Sequence, residues 1–219
     1  MSHSSLLQEI EEDLQRQKYE ALWKRYGRYV IGAALAIVLG TAAVTSWRNH
    51  TLAQHQAATS GLLAIVNDKA LDKDKKTAAL ETFAAANPEA SQATLARFRA
   101  AGIALKDGKT AEAVAQYDKI AADADAEPLF RELANLLAVQ AQLDDGDPAA
   151  MQARLQPLLA SDAAWRFSAK EYSAHLALRV GDKAKAKQLF DELTQPDAEI
   201  PATLAQRAKY MATWLGEGS

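Results

Sequence analysis

The chain has 219 residues, with 25 basic and 28 acidic side chains, no cysteine and a large excess of alanine. Alanine loses no side-chain entropy in a helix and fits where backbones come close, so the composition favours helices and excludes a β-sandwich. The formal charge of -3 gives no overall electrostatic case for nucleic acid, and without thiols there are no disulfides, thiolate zinc sites, cysteine nucleophiles or lipid-modified cysteine anchors.

Residues 1–28 read as a charged tail. Leu6, Leu7, Ile10 and Leu14 recur at helical spacing among Glu9, Glu11, Glu12 and Asp13, which makes an amphipathic pattern. Such a short helix docks on a partner, lies loosely against a membrane surface or frays in water.

Residues 29–47, from Tyr29 to Trp47, carry no charge. At 1.5 Å per residue they span roughly 28 Å, the thickness of a bilayer's hydrocarbon core, and read as a transmembrane helix rather than a buried core helix. Trp23, Tyr26 and Tyr29 at one end and Trp47 at the other suit the headgroup region. Arg16, Lys18, Lys24, Arg25 and Arg28 precede the stretch, and only Arg48 follows it before Lys69. The positive-inside bias therefore keeps the N-terminus cytoplasmic and translocates everything after Arg48. The competing reading is a cleaved signal peptide, but the long acid-bearing region ahead of the span favours an uncleaved anchor. Gly32, Ala36 and Gly40 share one helix face, where small side chains permit close approach of another helix; they are also common in any such span.

From residue 48 on, three turn signals recur between helix-forming runs: Lys106-Asp107-Gly108-Lys109, Asp144-Asp145-Gly146-Asp147-Pro148 and Val180-Gly181-Asp182-Lys183. Asp74, in a run with no glycine, divides two alanine-rich stretches in the same way. Taking Asp74, Gly108, Gly146 and Gly181 as equivalent gives periods of 34, 38 and 35 residues, the size of a helix-turn-helix repeat. Nine residues after each marker stand Phe83, Tyr117, Leu155 and Phe190; five after it stand Ala79, Ala113, Met151 and Ala186. A large residue that fills the space between paired helices thus alternates with a smaller one that lets them cross closely. Four hairpins are expected, at about 49–86, 88–123, 127–160 and 164–194, followed by a helix opened by Ile200-Pro201 whose Leu204, Ala208, Met211 and Leu215 cover the end of the stack.

No constellation for catalysis emerges. His3, His50, His55 and His175 lack metal-ligand spacing, no nucleophile elbow or phosphate-cradling glycine loop is present, and pairs such as Asp123 with Asp125 or Asp144 with Asp145 fall in turns, where acids cap helices. The expectation is a protein that is not an enzyme, with no cofactor, metal, nucleic acid or small-molecule substrate.

The repeat spacing and these turns resemble the tetratricopeptide repeat family over roughly residues 50–215, with the family's aromatic pattern on the first helix mostly replaced by Ala or Val. The full order of parts, a charged tail ending in KRYGRYV, one span, then Trp47-Arg48 leading into a degenerate repeat domain over 48–219, is similar to the YfgM-like ancillary subunits of the Sec translocon. That resemblance implies a single-pass bacterial inner-membrane protein with a periplasmic domain. It further implies partners in translocon subunits and a membrane-anchored periplasmic chaperone of prolyl-isomerase type, with unfolded client proteins also in reach. A repeat scaffold for cell division or envelope assembly is the alternative. In tetratricopeptide folds the first helices line the inner surface. The register then puts Leu95, Phe98, Leu105, Leu133, Leu136 and Leu143 on or near it as an apolar groove, with Glu171, His175 and Arg179 as a more polar end. The alternative is that these leucines pack the stack itself.

Overall fold

The structure is a computed structural model, and among its described residues it is all helical, with no strand. It describes residues 3–217 apart from 89, 90, 161, 197 and 198, with side chains described from Leu22 onward save those at 30, 34 and 217. The chain divides into two compact units, residues 1–57 and 58–219.

The first unit is helical throughout its described length, as part of α1 (His3–Asn67). Every described side chain from Tyr29 to Trp47 is exposed, and the helix is long and apolar enough to cross a membrane. Its one hydroxyl-bearing residue near the middle is satisfied locally: Thr41 Oγ1 donates to the carbonyls of Ile37 and Val38, each at 2.9 Å. Arg25 and Arg28 lie over the rings of Tyr26 and Tyr29, at 5.5 and 4.8 Å from the centroids. Gly32, Ala36 and Gly40 are exposed, and a Cβ added at either glycine would meet nothing within 4 Å. The side chains of Leu6, Leu7, Ile10 and Leu14 lie outside the described residues.

The second unit begins with the last turns of α1. It continues through α2 (Lys73–Ala86), α3 (Ser91–Lys106), α4 (Thr110–Ala121), α5 (Pro128–Ala141), α6 (Pro148–Leu155), α7 (Arg166–Arg179), α8 (Lys183–Glu192) and α9 (Ala202–Glu217). A 3₁₀ turn over Gln156–Leu159 ends α6, where Pro157 has no N–H to give to an α-helical bond. Each helix packs on the next, and α3, α5, α7 and α9 also touch in succession, so the first helices of the hairpins form one layer.

Two turns are built alike. Gly108 and Gly181 have φ of +73° and +82°, the left-handed conformation in which glycine carries no steric penalty. Lys109 N bonds Ala104 O while Gly108 N bonds Leu105 O; Asp182 N bonds Ala177 O while Gly181 N bonds Leu178 O. Both are Schellman motifs, and in each the residue after the glycine is already the N-cap of the following helix. Gly146 is required for another reason: a Cβ there would lie 2.8 Å from Gln142 Cβ and 2.9 Å from its carbonyl oxygen.

The second helices show where the repeat register lies and correct the first marker. Asp72, not Asp74, begins the first repeat's second helix, accepting a bond from Lys75 N as its N-cap. Counted from the caps Asp72, Lys109, Asp147 and Asp182, the eighth residues are Leu80, Tyr117, Leu155 and Phe190, all buried. The marker Asp74 had put Phe83 and Ala79 in the large and small positions; both are only half-buried.

The first helices obey an equally regular rule. Twelve and eight residues before Gly108, Gly146 and Gly181 lie Ala96 and Ala100, Ala134 and Ala138, Ala169 and Ser173, all buried. The same offsets from Gly216, 35 residues after Gly181, give Leu204 and Ala208, which join the core of α7 and α8. Helix α9 therefore occupies the place of a first helix in the register. Ten, seven and three residues before the earlier glycines, the side chains facing the hairpin's own second helix are mostly apolar, as in Phe98, Ala101 and Leu105 or Leu136, Val139 and Leu143. On α9 those positions hold Gln206, Lys209 and Thr213, a polar outer face that suits a capping element.

Polar links join neighbouring repeats at the same spacing. Arg207 Nε and Nη2 bond both carboxylate oxygens of Glu171 at 2.8 Å, and Arg179 Nη1 bonds Leu143 O at 2.8 Å. Trp165 Nε1 bonds Leu129 O at 3.2 Å, Lys109 Nζ bonds Asp74 at 2.6 Å, Gln116 bonds Glu81 and Arg154 bonds Asp118. Partners in these links are 35 or 36 residues apart, one repeat.

The two kinds of glycine predict opposite substitution effects. Gly108→Ala is expected to destabilise the domain by about 1–2 kcal/mol because alanine resists positive φ. Gly102→Ala, within α3 with open space around it, is expected to stabilise it by about 0.5–1 kcal/mol. Thermal unfolding followed by circular dichroism reads both signs.

Candidate partner-binding site

The exposed side of the first-helix layer follows from the glycine register. Six residues before Gly108, Gly146, Gly181 and Gly216 stand Gly102, Gln140, His175 and Tyr210; nine before stand Arg99, Leu137, Tyr172 and Arg207; two before stand Lys106, Asp144, Arg179 and Trp214. At its C-terminal end these rows enclose a cleft of about 570 Å³ between α5, α7 and α9, lined by Gln140, Glu171, Tyr172, His175, Arg207, Tyr210 and Met211.

Each polar group in the cleft has a distinct state. Glu171 is 6% exposed, and its carboxylate is held by the bidentate Arg207 fork. His175 meets Phe190 edge-on at 5.3 Å, and burial pushes its pKa below the ordinary 6.5, opposed by the Glu171 charge. Burial likewise raises the Tyr172 hydroxyl above its usual value of 10, so it stays a neutral donor and acceptor. Tyr210 and Trp214, one turn apart on α9, are 80% and 59% exposed. Together with Arg207 they supply the residue types that most often anchor protein interfaces.

The structure divides the residues read from sequence as a groove. Leu136 is buried in the core with Val139, Met151 and Leu155, and Leu143 packs against that core. Phe98 and Leu105 pack on the neighbouring core, with Phe98 6.1 Å from both Tyr117 and Phe130. These four belong to the stack because each packs into a core cluster that includes a second helix. Leu95 is exposed and Leu133 half-buried on the open face. Glu171 and His175 line the cleft, whereas Arg179 lies outside it and caps the end of α5 through Leu143 O. Sequence reasoning missed Gln140, Tyr172, Arg207, Tyr210 and Trp214. Extending the glycine register to Gly216 would have found the last three.

A second, more apolar groove of about 630 Å³ opens on the other layer, between α6 and α8, floored by Leu176, Ala177 and Val180. There Gln156 and Leu189 occupy the positions at which Glu81 and Gln116, then Asp118 and Arg154, tie the earlier second helices together. Among the described residues, no three His, Asp or Glu side chains gather as a metal site.

A family model of the tetratricopeptide repeat-like domain matches residues 20–201. No curated protein and no solved structure matches the chain. Domains of this kind act as protein-interaction scaffolds.

The buried imidazole makes stability pH-dependent in a defined direction. With its folded pKa lowered, His175 takes up a proton more readily in the unfolded chain, so stability present at neutral pH falls as pH drops through 6.5. Between about pH 7.5 and about pH 5, the melting temperature of His175→Phe is expected to fall less than that of the parent. Equal slopes would show that another group governs this range.

Proposed function

Because the chain belongs to the tetratricopeptide repeat-like family, we propose that it is a membrane-anchored adaptor whose first-helix face holds a partner protein near the bilayer. Residues 29–47 serve as the anchor, residues 1–28 as the cytoplasmic tail and residues 48–219 as a periplasmic repeat domain of the bacterial inner membrane. Its partners are the Sec translocon and a membrane-anchored periplasmic chaperone of prolyl-isomerase type, and it assists proteins emerging from the channel. The observation that carries the reading is the exposed Tyr210, Trp214 and Arg207 cluster beside the cleft, on a chain that also has an exposed apolar helix.

Three physical arguments support it. Anchoring two proteins in one membrane raises their effective concentration for each other, so a small aromatic and basic patch suffices for binding. The excess of Lys and Arg ahead of Tyr29 favours a cytoplasmic N-terminus. The open faces of Gly32, Ala36 and Gly40 leave room for a second helix within the bilayer.

In-cell photo-crosslinking from Tyr210 is expected to capture the chaperone and from Gly40 a channel subunit. Capture of neither would remove the translocon reading, and capture of septal proteins would move the adaptor to cell division. Orientation has its own test, since the chain lacks cysteine. A membrane-impermeant maleimide applied to spheroplasts is expected to label Lys183→Cys and to leave Ser4→Cys unlabelled; the reverse pattern would invert the topology.

A further inference from the structure

Resting on the reading of residues 29–47 as the anchor, we propose that Lys24, Arg25 and Arg28 form a binding site for one anionic phospholipid of the cytoplasmic leaflet, whose phosphodiester is held among the three cations. These residues belong to the first unit and take no part in the repeat domain. From Leu14 to Trp47 the chain has Arg16, Lys18, Lys24, Arg25 and Arg28 against the single acid Glu20.

Depth sets the three cations among phosphates. The uncharged stretch begins at Tyr29, so at 1.5 Å per residue Arg28 and Lys24 stand roughly 1.5 and 7.5 Å outside it. The interfacial layer beyond each face of the hydrocarbon is about 5–8 Å deep, and the two residues cover it from bottom to top. At about 100° per residue, Lys24 and Arg28 lie about 40° apart around the helix, with Arg25 about 60° beyond Arg28. All three therefore share one side of it.

Their charge is not used within the chain. Lys24, Arg25 and Arg28 are exposed and make no ion pair among the described residues. Each guanidinium is steadied by a ring instead: Arg25 lies 5.5 Å from the centroid of Tyr26 and Arg28 4.8 Å from that of Tyr29, and Arg28 Nη2 donates to the Tyr29 hydroxyl at 3.0 Å. Side chains already restrained lose less freedom when a ligand arrives. A guanidinium has five N–H donors in a planar fork that matches two phosphate oxygens, and Arg28 has spent one of them. A phosphodiester also relieves the repulsion among three like charges. A zwitterionic lipid brings a cation of its own to the same place, which selects the anionic kind. Further along the helix, Tyr29, Ile31 and Leu35 are exposed and meet the acyl chains, a surface that a soluble phosphate leaves bare.

Native mass spectrometry of the full chain, released from a mild non-ionic detergent after titration with dioleoyl phosphatidylglycerol or dioleoyl phosphatidylcholine, tests the site. One phosphatidylglycerol per chain is expected to be retained at about one-tenth of the concentration that phosphatidylcholine needs, with the difference shrinking as salt rises. Arg25→Gln with Arg28→Gln is expected to bring phosphatidylglycerol down to the phosphatidylcholine level at unchanged helical content by circular dichroism. Should that pair lose helix, Arg28→Gln alone is expected to weaken retention several-fold. Arg16→Gln with Lys18→Gln removes the same charge outside the site and is expected to leave retention as it was. Equal retention of the two lipids, or an equal loss in the Arg16 and Lys18 pair, would overturn the proposal. So would displacement of the lipid by glycerol phosphate at matched concentration, which would make this a site for soluble phosphate esters. If Ser4→Cys stays protected from maleimide in spheroplasts while the lipid preference is absent, this inference fails and the anchor reading stands. Labelling of Ser4→Cys would remove the orientation, and the cytoplasmic leaflet with it.

Discussion

A helical hairpin of this length cannot bury its apolar stripe alone, so the second unit depends on how closely one hairpin can approach the next. Alanine sets that distance. Ala96 and Ala100 lie against α2, Ala134 and Ala138 against α4, and Ala169 against α6, each with essentially no surface left to solvent. With no side chain beyond Cβ at the crossing, the larger residues Leu80, Tyr117, Leu155 and Phe190 can reach across and fill the space beside it. A leucine in place of Ala134 would have to displace Tyr117 or Ile120, both already packed.

Close approach alone does not say which residue meets which. The polar links supply that information, because Glu171 with Arg207 and Arg179 with the Leu143 carbonyl are satisfied in one register only. A slip of one residue would leave the Glu171 carboxylate buried without its fork. The Schellman turns act at the same level: Lys109 and Asp182 end one helix and begin the next, which leaves each hairpin little freedom in its angle.

Most of this architecture was legible in the sequence, because glycine at a positive φ and alanine at a crossing are dictated by backbone geometry that no distant contact overrides. The legible part stopped where that signal stopped. The first hairpin has no glycine in its turn, and either Asp72 or Asp74 could open α2; the bond from Lys75 N decides it, and no spacing rule contains that bond. An apolar groove and the packed stack could not be told apart for a related reason. Phe98, Leu136 and Leu105 are apolar residues on first helices, and apolarity marks contact without saying whether the contact is with the next helix or with a partner. Tyr210 and Trp214 carry the more useful signal, large aromatics at positions where the register predicts exposure. They went unread because the glycine register was not carried on to α9, the helix that covers the end of the stack.

That place of α9 has a consequence for assembly. An array of equivalent hairpins has a front and a back that match each other, and a match of front to back between copies is a heterologous contact that never closes on itself. With leucine or alanine at the positions of Gln206, Lys209 and Thr213, the back of one molecule would accept the front of the next, and growth would continue into a filament. Three polar side chains along the outer face of α9 work against such growth.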